Sequence, residues 1–209
     1  MGLAVDQLVA SWRRSLRQRN LAVRTIETYV ESATQLSGWL ADRGITDIDG
    51  VTRDHVADFI THLIETRSPS TASVRFRSLQ QFFGWLAEEG ELSGPNPMER
   101  MRPPIVPERP VPVLTPDQLR ELFANRSGKS FIDRRDEAIL RLFVDTGLRL
   151  SELAHLTVVD VDLDEQVAVV MGKGRRPRAV PFGAKSTAAL DRYLRVRGRH
   201  RLAAEPRCG

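Results

Sequence analysis

The residues best suited to chemistry in this 209-residue chain are Arg149 and Glu152, within Thr146-Gly147-Leu148-Arg149-Leu150-Ser151-Glu152-Leu153. A glycine break there delivers an arginine to the start of a short helix. Unpaired backbone N–H groups at a helix start favour phosphate, and a guanidinium adds a permanently charged, planar fork for two phosphate oxygens. Glu152, three residues on, can share a face with Arg149 and hold it in place. The octapeptide alone is equally compatible with a buried Arg–Glu pair that ties a helix start to the core.

Lys173 follows 24 residues after Arg149, between Gly172 and Gly174, which let the backbone turn tightly against a ligand. In phosphoryl transfer from DNA a 5′ oxygen leaves and must be protonated. An ammonium can give that proton and neutralise charge. Taken singly, Gly-Lys-Gly also describes an ordinary solvated hairpin turn. The apolar runs Val167–Met171 and Ala179–Phe182 flank it, so the segment between them reads as the basic tip of a β-hairpin. Arg175, Arg176 and Arg178 make that tip strongly basic.

The elements that must position these groups begin with four helical patterns over residues 3–90. The first carries Val5, Leu8, Val9, Trp12 and Leu16 on one face. The second carries Ile26, Tyr29, Val30, Ala33, Leu36 and Leu40 and stops before Gly44. Thr52 caps the third, with Val51 and Val56 placed for a hydrophobic staple and Phe59, Ile60, Leu63 and Ile64 along its buried stripe. Ser68-Pro69 opens the fourth, whose buried side is Val74, Leu79, Phe82, Phe83 and Leu86.

Eight prolines between Ser93 and Pro116 cannot continue a helix and mark an interdomain linker. Residues 1–93 therefore read as one domain, 94–113 as the linker and 114–209 as a second domain. The second opens at Thr115-Pro116, continues through a helix over Arg134–Asp145 with Ala138, Ile139, Leu142 and Phe143 on its apolar face, and ends in a helix from about Ser186. No internal repeat is present.

The net charge of +4 says little, but its distribution is uneven. Residues 1–93 hold 10 basic and 12 acidic residues, whereas 114–209 hold 18 and 13. Met171 to Arg201 alone contains ten basic residues and one acid, Asp191, a block able to meet phosphate. Arginine outnumbers lysine 28 to 3, which base composition of the genome explains as well as function does. The single cysteine, Cys208, leaves no disulfide framework and suits a reducing, cytoplasmic setting. No apolar run approaches the roughly 18 residues of a membrane span.

Together these features resemble the tyrosine recombinase, or phage integrase, family, including its Xer-type members. The motifs that carry the resemblance are the four-helix entry domain with Ser70-Thr71-Ala72-Ser73, the Asn96-Pro97 and Pro-rich linker, the Thr-Gly-Leu-Arg box and the Gly-Lys-Gly hairpin. The resemblance implies a mainly α protein: an N-terminal four-helix, SAM-like core-binding domain, then an α+β catalytic-domain fragment with a small antiparallel sheet. It also implies a clamp around double-stranded DNA, partner recombinase protomers, and neither metal nor nucleotide cofactor.

On that resemblance Arg149 is the first catalytic arginine, Glu152 its supporting acid and Lys173 the general acid of the hairpin. Arg75, Arg77 and Arg24 are expected on the DNA-facing surface of the first domain, the first two on the exposed side of the fourth helix. Arg13, Arg14, Arg17, Arg19 and Arg24 form a second basic set, for which a solvated surface position is an equal reading. At the hairpin Arg175, Arg176 and Arg178 are expected to contact DNA backbone, adding affinity and salt dependence but little sequence information. The family's later His/Arg motifs and its nucleophile have no counterpart here. His200 is followed by Ala203 where an arginine belongs, and neither Tyr29 nor Tyr193 occupies the nucleophile's context. The domain is thus expected to stop before its second half, leaving Leu190 and Leu194 uncovered and the chain inactive by itself. A non-catalytic DNA-binding remnant or regulator occupying recombination sites is the alternative. His55, His62 and His155 are expected at surface or capping positions.

Overall fold

The computed structural model describes residues 4–108, 110–125, 128–172 and 176–200. It forms two compact units, Met1–Pro110 and Val111–Gly209. The first is a bundle of α1 (Val5–Gln18), α2 (Val23–Ala41), α3 (Arg53–Thr66) and α4 (Pro69–Glu88). Apolar residues at helical spacing bury one face of each helix, and Trp12, Leu36, Phe76, Phe82 and Phe83 fill the centre. The Trp12 ring lies 5.0 Å from Phe82 and stacks on Tyr29 at 5.7 Å.

Local signals set the helix ends. Thr52 Oγ1 accepts the N–H of His55, whose Nδ1 in turn accepts the N–H of Thr52. Ser68 caps α4 ahead of Pro69 by accepting from Thr71. The proline-rich stretch is anchored at its start, because Met98 is buried in the first core and Met101 packs against it.

Two apolar assignments fail in phase. Val74 is 48% exposed and Ile64 37% exposed. On α4 the outward stripe is Ser70, Val74, Arg77 and Gln81, while Arg75 turns inward to a polar seam with α2.

The second unit contains α5 (Pro116–Ala124), α6 (Phe131–Thr146), α7 (Leu150–Ala154), β1 (Val161–Asp162), β2 (Val167–Met171), β3 (Pro177–Pro181) and α8 (Ala184–Arg197). The strands form an antiparallel sheet in the order β1-β2-β3, with Ala168 opposite Val180 and Val170 opposite Arg178. Alternation buries Ala168, Val170 and Val180 beneath α6 and α8 residues Ala138, Leu142, Ala189, Leu190 and Tyr193. The short β1 has no apolar run to announce it; pairing with β2 makes it a strand.

Leu190 departs from expectation, because α6 packs along α8 and buries it to 6% exposure. Leu194 is half-buried at an open apolar cavity of about 300 Å³ with Ile139, Phe143, Leu150 and Leu153. A polar clasp joins the two helices. The buried Glu137 carboxylate accepts from Arg141 and Arg192, each at 3.0 Å, and pairs with Arg134 at 3.5 Å. The fold is therefore mainly α, with the small antiparallel sheet confined to the second unit.

Candidate functional site

Gly147 ends α6 in the left-handed conformation, φ 60°, and turns the chain so that Arg149 stands at the start of α7. Next to this turn, Asp145 Oδ2 accepts from the Gly183 N–H at 3.0 Å and the Ser186 hydroxyl at 2.6 Å, tying the end of α6 to the start of α8. The turn is thus fixed from both sides before Arg149 is reached.

Glu152 is the centre of the site. Its side chain is only 4% exposed, and its two oxygens are divided among three donors. Oε1 accepts from Arg149 Nη1 at 2.9 Å, and Oε2 accepts both the backbone N–H of Arg149 and Arg178 Nη2, each at 2.9 Å. The Arg149 backbone N–H beside Glu152 is the main cause holding its carboxyl below the usual carboxylate range. Burial opposes this, while the Arg149 side-chain bond and the Arg178 and Arg149 charges reinforce it. The carboxylate stays ionised and anchors two cations.

Arg149 itself is 68% exposed at the side chain, so the guanidinium donors that Glu152 does not engage face solvent. The arrangement offers an oriented cation to an oxyanion. With only five residues, α7 gives a small aligned dipole, so the attraction rests on the guanidinium rather than on the helix start.

The hairpin reaches the same carboxylate through Arg178. β3 begins two residues earlier than its apolar run suggests, which places Pro177 and Arg178 in the sheet instead of the tip. Arg178, its side chain 44% exposed, thus stands in the sheet with one guanidinium nitrogen on Glu152. No local signal announces this link, because Glu152 lies 26 residues away and the register that sets Arg178 opposite Val170 comes from the sheet. Gly172 N–H donates to Arg176 C=O at 2.9 Å and closes the neck of the hairpin. Lys173 and Arg175 lie outside the described residues, and Arg176 is exposed.

On the first unit Arg77 is exposed, and Arg24 is 92% exposed with a loose 3.7 Å pair to Glu27. Arg13, Arg17 and Arg19 are exposed; Arg14 is too, donating to Ser11. Arg75 is different from the expectation. Its side chain is 12% exposed, with Nη2 on Glu31 at 2.6 Å and Nη1 on Ser32 Oγ and the Thr28 carbonyl. Acceptors along the α2 seam outcompete solvent for that guanidinium.

Tyr193 is buried in the second core at 5.8 Å from Phe131, and Tyr29 stacks on Trp12. His55 serves as a cap, and His155 Nδ1 lies 2.7 Å from the Ser151 carbonyl. Among the described residues no cluster of three or more His, Cys, Asp or Glu side chains could hold a metal ion, and no helix is long and apolar enough to cross a membrane.

Residues 8–90 match the family model "Phage integrase, N-terminal SAM-like domain", and residues 112–206 match that of the "Phage integrase family". The chain belongs to the phage integrase family. Among curated members it is 31% identical over 184 residues to tyrosine recombinase XerC of Xanthomonas campestris pv. campestris, covering 87% of this chain and 56% of the relative. It is 34% identical over 201 residues to XerC of Roseiflexus castenholzii, covering 95% and 63%. Tyrosine recombinase XerD of Mycobacterium leprae is 33% identical, covering 89% and 62%. The chain thus spans about three fifths of the length of these integrase-family relatives.

Its fold matches that of a lambda integrase tetramer bound to a Holliday junction, with a TM-score of 0.74 at 17% identity, covering 94% of this chain and 58% of the other. The Tn1549 transposon integrase in complex with transposon right end DNA gives 0.70 at 23% identity, covering 93% and 66%.

Proposed function

We propose that this chain is the DNA-binding and phosphate-positioning part of a site-specific recombinase, a protein that breaks and rejoins DNA through a phosphotyrosyl intermediate. The observation that carries the reading is the exposed Arg149 guanidinium held from behind by buried Glu152. A cation fixed on one side and open on the other suits an oxyanion whose charge grows in a transition state. Likeness to XerC, XerD and DNA-bound integrases supports double-stranded DNA as substrate and further protomers as partners.

In this reading residues 1–93 form the core-binding part, 94–113 the connection and 114–209 the catalytic part. Arg149 binds the scissile phosphate, Glu152 orients it and Lys173 protonates the leaving oxygen. Arg24, Arg77, Arg175 and Arg176 contact DNA, whereas Arg75 braces the bundle. The reaction draws on no metal or nucleotide, and the setting is cytoplasmic.

A second reading, a non-catalytic protein that occupies recombination sites, draws support from the two tyrosines. Tyr193 is buried in the second core and Tyr29 stacks on Trp12 in the first. Selection from a randomised duplex library, followed by trapping on a nicked suicide substrate, tests both. A shifted complex with a covalent adduct supports the enzyme. A shifted complex without adduct supports occupancy alone, and no shift at low salt ends both.

A further inference from the structure

A carboxylate and a guanidinium pair most favourably as two parallel hydrogen bonds, fork to fork. Glu152 and Arg149 do not pair that way. Of the guanidinium donors only Nη1 engages the carboxylate, at Oε1, because Oε2 is filled by the Arg149 backbone N–H and by Arg178 Nη2. Resting on the reading of Arg149 as the phosphate ligand, we propose that Arg178 is its positioning residue. By occupying Glu152 Oε2, Arg178 keeps the carboxylate from forking onto Arg149 and leaves the guanidinium free for a phosphate oxyanion.

The strand geometry makes this contact local and fixed. Cross-strand partners project from the same face of a sheet, so Arg178 leaves β3 on the side where its partner Val170 is buried. A side chain on Gly172 would bring its Cβ within 3.8 Å of Arg178 Cδ, so Arg178 runs closely along the neck of the hairpin. It arrives at Glu152 from an element 26 residues away in sequence. The fit of the hairpin against α7 therefore decides how much of Arg149 remains unpaired.

Electrostatics points the same way. Glu152 shared between two guanidinium groups leaves one net positive charge at the site, whereas Glu152 forked onto Arg149 alone leaves none. Removing Arg178 would also deprive a buried carboxylate oxygen of a donor, and the nearest replacement is the rest of the Arg149 fork.

The test uses the full chain, with the Arg149 Nε–Hε resonance assigned through Arg149→Lys and followed while inorganic phosphate is added. Wild-type protein should show a saturable shift, and Arg178→Gln should weaken apparent phosphate affinity about fivefold or more, the expected cost of a competing bidentate partner. Arg178→Lys still donates to Oε2 and should stay within about twofold of wild type. Adding Glu152→Gln to Arg178→Gln removes the competing carboxylate and should recover binding. A purely structural anchor predicts the reverse for that double variant, so equal or deeper loss overturns the proposal, as does unchanged binding in Arg178→Gln. Should amide exchange at Val169 and Ala179 show that Arg178→Gln has lost the hairpin, the decision passes to folded Arg178→Lys, where a fivefold loss overturns it. A wild-type Arg149 resonance indifferent to phosphate removes the phosphate-ligand reading itself; a responsive one with indifferent Arg178 variants removes only the positioning role.

Discussion

Arg75 Nη2 lies 2.6 Å from Glu31 Oε1, joining α4 to α2 by a guanidinium that is almost wholly covered. Glu31 itself is 56% exposed, so solvent screens the charge attraction and the covered hydrogen bonds to Ser32 and Thr28 matter more. Arg75→Ala should cost the first unit about 1–2 kcal/mol by loss of hydrogen bonds, and Glu31→Ala less than about 1 kcal/mol. Urea unfolding followed by tryptophan fluorescence measures this, since Trp12, Trp39 and Trp85 all lie in that unit. Equal effects would mean that the ion pair, not the seam, holds Arg75.

Arg149→Ala should separate binding from chemistry. On the proposed reading the substitution deletes one phosphate contact, so affinity for duplex DNA should fall alike across sequences, and the slope of log affinity against log salt should drop by about one. Any phosphotyrosyl adduct trapped with wild-type protein should disappear. A collapse of the second unit, seen as lost amide protection in β2, would instead make Arg149 a structural residue.

Much of this site was legible because its parts are local. Arg149 and Glu152 are three residues apart, and the capping relation between them follows from helix geometry. The helix ends at Thr52, Ser68 and Thr115 were equally plain, being side chains that answer nearby backbone N–H groups. What escaped sequence reading was partner choice over distance. Arg75 and Arg178 are both arginines in basic or surface-patterned segments, yet each meets an acid 44 or 26 residues away. Periodicity gives a face and not its neighbour, so Val74 was also assigned to the wrong side of α4. Glu137, which gathers three arginines between α6 and α8, was invisible for the same reason.

Gly147→Ala should destabilise the second unit by about 1–2 kcal/mol, the cost of a left-handed backbone for an L residue. An added Cβ would meet nothing within 4 Å, so the penalty belongs to φ alone. Asn, which tolerates that conformation, should recover part of the loss. Thermal unfolding of the three proteins provides the comparison, and an unperturbed alanine variant would show that the turn relaxes without its glycine.

The Glu152 carboxyl, held below its ordinary value of 4.5 by the Arg149 backbone N–H first and by its side-chain partners after, makes the second unit acid-sensitive. Because the folded-state value is the lower one, the stabilisation is complete above the unfolded-state value. It fades as pH falls beneath that value and is gone below the folded-state one. Glu152→Gln carries a neutral group at every pH and leaves Arg149 and Arg178 without their shared counter-charge. The variant should therefore be less stable than wild type at neutral pH, and the two should converge as pH falls below 4.5 and through the lower folded-state value. NMR of the Leu142 and Val170 methyl groups during thermal unfolding reads this unit specifically, since both lie in its core. Contributions common to the two proteins cancel in the difference, which isolates Glu152. A gap that stays constant with pH would mean that its contribution is packing and hydrogen-bond shape rather than charge.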